Sequence, residues 1–328
     1  MPETVQASRK QRQLGANGPE ISTLGLGAWA IGGPSRFGWG EVDDEVSIKT
    51  IRDAVESGIN WVDTAAFYGK GHSEEIVGNA LRPWLGTGEV YVFTKCGLRW
   101  YSDDPNEPPE NNLRPESMRY ECEQSLRRLG VERIDLYQFH WPDTIGTPVE
   151  ESWQTMADLI DEGKVRWGGV SNFDVDLLER CESIRHVDSD QPKLNMLDRG
   201  ALDRVVPWCR TNGVGVLAYS PLASGLLGGT WNELRKKTLS DDDWRKHAPE
   251  FQEPQLTRSL EIVNQLHEIA NSAGTTIPVL AIAWVLAQPG VTGAIVGARN
   301  SEQMAGWLPA ANFTMDEETG AAVARVLG

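Results

Sequence analysis

Short runs of β-branched and aromatic residues alternate along this chain with longer stretches in which apolar residues recur every three or four positions. Residues 22–32 (STLGLGAWAIG) read as a first strand. Ile48, Ile51 and Val55 then share one face of a helix that stops at Gly58. Residues 60–66 (NWVDTAA) read as a second strand. Ser73 is placed to cap the next helix, with Glu74 and Glu75 suiting its first turn. Residues 89–97 (EVYVFTKCG) form a third strand, followed by a helix striped by Met118, Cys122, Ser125 and Leu129 and ending at Gly130. The fourth strand, 133–141 (RIDLYQFHW), precedes a face of Trp153, Met156, Ala157 and Ile160 closed by Gly163. Residues 165–173 (VRWGGVSNF) lead into a helix from Asp174, and 189–197 (SDQPKLNML) read as a weaker strand because Pro192 lacks an N–H. Residues 203–212 are helical in pattern, 214–222 (VGVLAYSPL) and 292–298 (TGAIVGA) are the last strands, and helices over 256–273 and 278–287 lie between them.

Eight alternations of strand and helix predict parallel strands joined by helical crossovers. With no break between halves, a closed (β/α)8 TIM barrel, one domain over residues 1–328, fits better than an open sheet. An N-terminal β-hairpin over 11–22 (QRQLGANGPEIS) is placed to cap the barrel bottom. Long loops follow strands 3 and 7, at 99–113 and 223–254, on the face where such barrels carry their chemistry.

Composition narrows the partners. A formal charge of -16, from 47 acidic and 31 basic residues, argues against nucleic acid or an anionic membrane. The cysteines 96, 122, 181 and 209 have no CxxC spacing, which argues against a disulfide framework or a zinc site. The first residues carry no apolar core of a secretory signal, and no apolar run reaches about 18 residues. A cytoplasmic protein acting on a small molecule is the expectation.

The polar residues at strand ends supply the candidate chemistry. Asp63 ends strand two, Tyr68 lies in the loop beyond, Lys95 ends strand three and His140 ends strand four. Each alone has a plain structural reading, as a loop cap, a packed ring, a solvated amine or a core histidine. Four at successive ends of neighbouring strands point into one mouth. Lys95 beside Tyr68 is expected to favour tyrosinate and lower the phenol from about 10 towards about 7, with Asp63 holding the ammonium. Tyr68 and His140 together suit a carbonyl oxygen gaining negative charge, which is reduction by hydride. That needs a nicotinamide. The stretch GLGAWA (25–30) matches a Rossmann pattern, but IGGP follows and cannot open a helix there. Ser171, Asn172 and Gln191 instead suit a carboxamide, Tyr219 a flat ring, and the small residues 220–229 a pyrophosphate. Arg299, before a short helix, suits a phosphate.

GINWVDTAAFYG, VFTKCG, DLYQFHWPD, GVSNF, LAYSPLASGLLGG and IVGARNSEQM, in this order over nearly the whole chain, resemble the aldo-keto reductase superfamily. The resemblance implies a barrel binding NADP(H) across its mouth and a catalytic tetrad of Asp63, Tyr68, Lys95 and His140, with Tyr68 as general acid/base. It implies Ser171, Asn172 and Gln191 at the nicotinamide amide and Tyr219 as stacking ring. Ser220, Pro221, Leu222, Gly225 and Leu227 match the pyrophosphate loop, and Gly297, Arg299 and Gln303 the adenosine end, with Arg299 favouring NADPH over NADH. The pattern departs where Gly306 and Trp307 stand in place of an acidic or amide residue; Trp307 can stack on adenine or simply pack. Trp29, Trp100 and Trp141, with Phe37, Trp39 and Tyr101, are candidates to line a substrate pocket for aldehydes, ketones or sugars. Rival readings are a non-catalytic NADP(H)-binding subunit of the potassium-channel β type, and a Schiff-base enzyme using Lys95.

Overall fold

The computed structural model describes residues 10–33, 38–102, 108–231, 239 and 243–328. Its centre is a closed barrel of eight parallel strands: β3 (Leu24–Gly27), β4 (Trp61–Asp63), β5 (Tyr91–Cys96), β8 (Ile134–Phe139), β9 (Val165–Ser171), β10 (Ser189–Gln191), β11 (Gly215–Ala218) and β12 (Val291–Gly297), in that order around the ring, with β12 pairing back to β3. The hairpin β1 (Gln11–Gln13) and β2 (Glu20–Ser22) pairs Gln11 with Ser22. It caps the bottom: Leu14 and Ile21 join the interior cluster of Trp61, Phe93, Leu136, Trp167, Leu217 and Ile295, and Trp167 Nε1 donates to Asn17 O at 3.0 Å.

Strand alternation stacks that interior. Residues two apart share a face, so Trp61, Phe93 and Leu136 in the apolar layer put Asp63, Lys95 and Gln138 directly above them. The glycines of the Rossmann-like stretch serve this packing. A Cβ on Gly25 would lie 2.3 Å from the Trp61 ring, so only glycine leaves the tryptophan room inside the barrel.

Helices surround the strands: α1 (Asp44–Glu56), α2 (His72–Leu81), α3 (Pro115–Leu129), α4 (Val149–Asp161), α5 (Val175–Glu182), α6 (Val205–Asn212), α7 (Gln255–Ser272), α8 (Ile277–Ala287), α9 (Ser301–Trp307) and α10 (Glu317–Leu327). The apolar stripes Met118/Cys122 and Trp153/Met156 are fully buried against the sheet, each large side chain contributing about 2–3 kcal/mol of transfer free energy. Asp43, Asp174, Asn300 and Asp316 cap α1, α5, α9 and α10. Among the described residues no single helix is long and apolar enough to cross a membrane.

Several local expectations change. The first strand is shorter, because residues 29–31 turn in a 3-10 helix. Ser73 does not cap α2, whose N-cap is Gly71; its Oγ donates to Ala28 O (2.9 Å) and meets Thr64 Oγ1 (2.9 Å), tying the helix to the barrel. The continuous ladder of the sixth strand is Ser189–Gln191; beyond Pro192 only isolated bridges follow, Lys193 with Tyr219 and Asn195 with Asp198. The loop after the third barrel strand is pinched by a small antiparallel ladder, β6 (Leu98–Arg99) with β7 (Glu110–Asn111). The C-terminal helix α10 was not anticipated.

Candidate active site

Lys95 lies at the centre of the barrel mouth, fully buried at the end of β5. Its Nζ donates to Asp63 Oδ1 (2.5 Å), to Thr64 O (2.9 Å) and to the Tyr68 hydroxyl (3.4 Å). Asp63 ends the neighbouring strand, and Tyr68 begins the tight turn Tyr68–Gly71 beyond it. His140 follows β8, its backbone N bonded to Cys96 O (2.9 Å), and its ring meets the Tyr68 ring edge to face with centroids 5.6 Å apart. The four side chains at successive strand ends therefore share one pocket.

The electrostatics differ from the sequence expectation at Tyr68. Burial raises the phenol, Lys95 lowers it and Asp63 raises it again; the net direction is up, not down. Burial is the larger cause, and the carboxylate 2.5 Å from the ammonium offsets part of its field, so Tyr68 holds its proton at neutral pH. For Lys95, burial pulls down but Asp63 and Tyr68 outweigh it, and the ammonium is kept charged. His140 is pushed well below its ordinary range by burial and by Lys95, so its ring is neutral.

Two amides complete the cluster. Gln191 Nε2 donates to Asp63 Oδ2 (3.0 Å) and to Gln138 Oε1 (3.3 Å), while Gln138 Nε2 donates to the same Oδ2 (3.4 Å). Gln191 thus spends its amino group on Asp63 rather than holding it ready for a carboxamide, and its Oε1 is the atom left to receive one. Gln138 escaped the sequence reading. Its signal was there: it stands two residues before His140 and two after the apolar Leu136, on the same inward face.

Beside the cluster, Asn172 Nδ2 donates to His140 O (3.2 Å) and Ser171 Oγ (3.0 Å), and the Tyr219 hydroxyl donates to Asn172 Oδ1 (2.8 Å). Ser171 Oγ donates to Gln191 O (2.8 Å). Among the described residues the non-glycine positions with positive φ are Lys70, Asn172, Ser220, Ala223 and Ser224. All five lie in loops leaving the C-terminal ends of β4, β9 and β11, and each costs on the order of 1–3 kcal/mol. Ala223 (φ 47), Ser224 (φ 53) and Gly225 (φ 103) run consecutively, a loop whose turned backbone suits an anion. Leu227 is fully buried and Leu222 packs on the core, which anchors that loop, and Pro221 is buried. This cradle, with the Tyr219 ring and the Gln191 acceptor, fits a nicotinamide dinucleotide.

At the far rim Gly297, Arg299 and Gln303 are exposed; Arg299 Nη2 donates to Glu41 O (2.6 Å) and Arg299 N to Gln303 Oε1 (2.8 Å). Trp307 packs in the core at 3% exposure, which removes it as an adenine platform in this conformation.

The aromatic expectations divide. Trp29 stacks near Tyr68 (6.4 Å) and meets Trp39 (5.3 Å) and Trp244 (5.5 Å). Trp100 stacks on Phe67 at 5.0 Å. Trp141 is 41% exposed and takes no part in these ring contacts, and Tyr101 is 58% exposed with its ring against Arg99, so neither joins the cluster around Tyr68. Phe37 lies outside the described residues. Trp244, which the sequence reading missed, comes from the long loop after β11 beside Arg245, whose guanidinium lies 4.7 Å from the Trp39 ring.

Comparison with known proteins agrees with the fold. Residues 23–327 match the model of the aldo/keto reductase family. The chain is 38% identical over 302 residues to aldo-keto reductase YhdN of Bacillus subtilis (strain 168), covering 92% of this chain and 88% of that protein. It is 35% identical over 316 residues to the NADH-specific methylglyoxal reductase of Escherichia coli (strain K12), covering 94% and 95%. Among solved structures, the glycerol dehydrogenase AKR11B4 from Gluconobacter oxydans superposes with a TM-score of 0.86 at 38% identity, over 97% of this chain and 94% of that one.

Proposed function

The chain belongs to the aldo/keto reductase family, and from that premise we propose that residues 1–328 act as one NAD(P)(H)-dependent barrel enzyme interconverting a carbonyl and an alcohol, with Tyr68 as general acid/base. The observation that carries this reading is the Lys95 ammonium, buried between the Asp63 carboxylate and the Tyr68 hydroxyl. Bound nicotinamide supplies or accepts the hydride. The Tyr68 hydroxyl gives its proton to the carbonyl oxygen as negative charge develops there. The neutral His140 ring donates a hydrogen bond to the same oxygen without adding a second cation beside Lys95. Lys95 stabilises the tyrosinate left behind, and Asp63 keeps the ammonium in place.

Ser171, Asn172 and Gln191 hold the carboxamide in this reading, Tyr219 stacks on the ring, and Ser220, Pro221, Leu222, Gly225 and Leu227 form the pyrophosphate loop. Arg299, with Gly297 and Gln303, takes the adenosine phosphate and favours NADPH. The NADH-specific relative makes that preference a point to measure. The Trp29–Trp39–Trp244 cluster and Trp100 suit a small carbonyl compound: an aldehyde, a ketone or a sugar. A cytoplasmic site of action belongs to the same proposal, in keeping with four buried, unpaired cysteines.

The test is turnover of a panel of aldehydes, ketones, polyols and free sugars, followed at the reduced-nicotinamide absorbance in both directions. Tyr68→Phe is expected to lower kcat by about 10² or more, while tryptophan fluorescence still reports cofactor binding. Near-full turnover in that variant overturns the acid/base assignment.

A further inference from the structure

Asp63 faces two ways. Oδ1 takes the Lys95 ammonium at 2.5 Å, and Oδ2 takes amide N–H groups from Gln191 (3.0 Å) and Gln138 (3.4 Å). All four residues are at most 3% exposed, so water does not compete for these bonds. Gln138 is also fixed from its other end, since its Oε1 accepts from Gln191 Nε2 at 3.3 Å. The barrel makes room for it: β8 pairs Gln138 with Gly169 of β9, where a Cβ would lie 3.0 Å from Gln138 Cγ and 2.3 Å from Ser189 Oγ. A polar side chain in a dry barrel interior, held at both ends and given space by a glycine, has a specific task.

We propose that Gln138 is a positioning residue: by donating to Asp63 Oδ2 it draws charge away from Oδ1, limits how tightly the carboxylate holds Lys95, and so sets how much of the ammonium's field reaches the Tyr68 hydroxyl. The inference rests on the reading of Tyr68 as proton donor. Its physical basis is that a carboxylate relieved by hydrogen bonds is a weaker base and a weaker partner. With the Gln138 donor gone, Asp63 binds the ammonium harder and tyrosinate is stabilised less. The titratable and charged groups facing Tyr68 are Asp63 from β4, Lys95 from β5, His140 after β8 and Tyr219 after β11. Gln138 is the cross-strand neighbour of Lys95, but the hydrogen bond it makes to this group of residues is to Asp63, and its effect passes through that carboxylate.

The sign is definite. Oxidation of an alcohol needs tyrosinate, so its rate rises as pH climbs through the Tyr68 titration; reduction of a carbonyl needs the phenol and falls over the same range. Gln138→Met, which keeps volume and removes the donor, is expected to move both limbs to higher pH by about half a unit or more. A role in packing alone lowers rates at every pH and leaves the limbs where they were. Gln138→Glu gives a second reading. Its protonated acid still donates to Asp63, so activity is expected near wild type at low pH and falls as the new carboxyl ionises. The direct measurement is the titration of the Tyr68 resonance in protein labelled with ¹³Cζ-tyrosine, assigned with Tyr68→Phe, in wild type and Gln138→Met. An upward shift supports the proposal; an unmoved Tyr68 titration overturns it. Because that readout uses no turnover, it decides the role of Gln138 even if Tyr68→Phe proves active and the catalytic reading fails.

Discussion

Arg299 stands on the rim of the barrel and is exposed, and among the described residues its side chain donates to the Glu41 carbonyl at 2.6 Å. That bond to a neutral carbonyl uses one of five N–H donors. Such a group gains most from a dianion that it meets through several N–H groups at once. Arg299→Ala is therefore expected to weaken NADPH by about 10–100-fold, the loss of one charge-assisted bond of about 1.5–3 kcal/mol, and to leave NADH within a few-fold. Fluorescence titrations with both cofactors check this, and equal losses for the two would remove Arg299 from the phosphate. Tyr68 shows the opposite case, where the residue's identity misleads. Its closeness to Lys95 followed from chain position, but the sign of its shift depends on burial and on the carboxylate behind the lysine.

At the scale of the element, the paired glycines of β9 point in opposite directions and predict opposite tolerance. A Cβ on Gly168 would meet Met156 Cγ (3.0 Å), Ile160 Cδ1 (3.2 Å) and Trp153 Cη2 (3.3 Å), all side-chain atoms of α4 and none closer than 3.0 Å. On Gly169 it would meet Ser189 Oγ at 2.3 Å, Ser189 O at 3.0 Å and Gln138 Cγ at 3.0 Å, inside the barrel. Gly169→Ala is expected to cost about 1–3 kcal/mol and Gly168→Ala less. Urea unfolding of the two variants checks the order, and equal losses would mean that the barrel interior yields as easily as the helix layer. The same alternation explains what could be read from the chain. Asp63, Lys95 and His140 end strands whose apolar runs are plain, and closure of the barrel brings them together. The hairpin cap followed from its turn residues. Gln138 and Trp244 did not emerge, for different reasons. Gln138 lies inside a strand, where inward position shows only once neighbours are paired, and Trp244 lies in a long loop with no periodicity to fix its place. Ser73 looked like a helix cap because it precedes the acidic pair, but the barrel wall offers its hydroxyl better partners.

For the whole molecule, stability against pH is governed by acids the barrel buries, since most of the surface carboxylates behind the net charge of -16 are already ionised at pH 5. Asp190, on the outward side of β10, is fully buried; burial pushes its carboxyl up to about 8, and the backbone N–H groups of Gln191 and Phe173 offset that only in part. Glu121, held by Gly97 N and Ser117 Oγ on α3, is pushed up to about 7, again by burial. A carboxyl whose folded value lies above its unfolded one binds more protons when folded. Its contribution is complete below about pH 4 and is lost as pH rises through the folded value. For Asp190 the shift from 3.8 to about 8 corresponds to on the order of 5 kcal/mol across that window. His186, held up by its bond to Glu182, deprotonates in the same direction, so the wild-type slope is a sum. Asp190→Asn separates the terms, because the amide keeps the shape and does not ionise. The variant is expected to be no more stable than wild type at pH 5, where a buried amide has no advantage over a neutral acid, and more stable by a few kcal/mol at pH 8. Unfolding in urea at both values measures the difference. If wild type and variant lose the same stability between pH 5 and 8, Asp190 is already ionised in the folded protein at pH 5 and its carboxyl is not held up, and the slope belongs to Glu121 and His186.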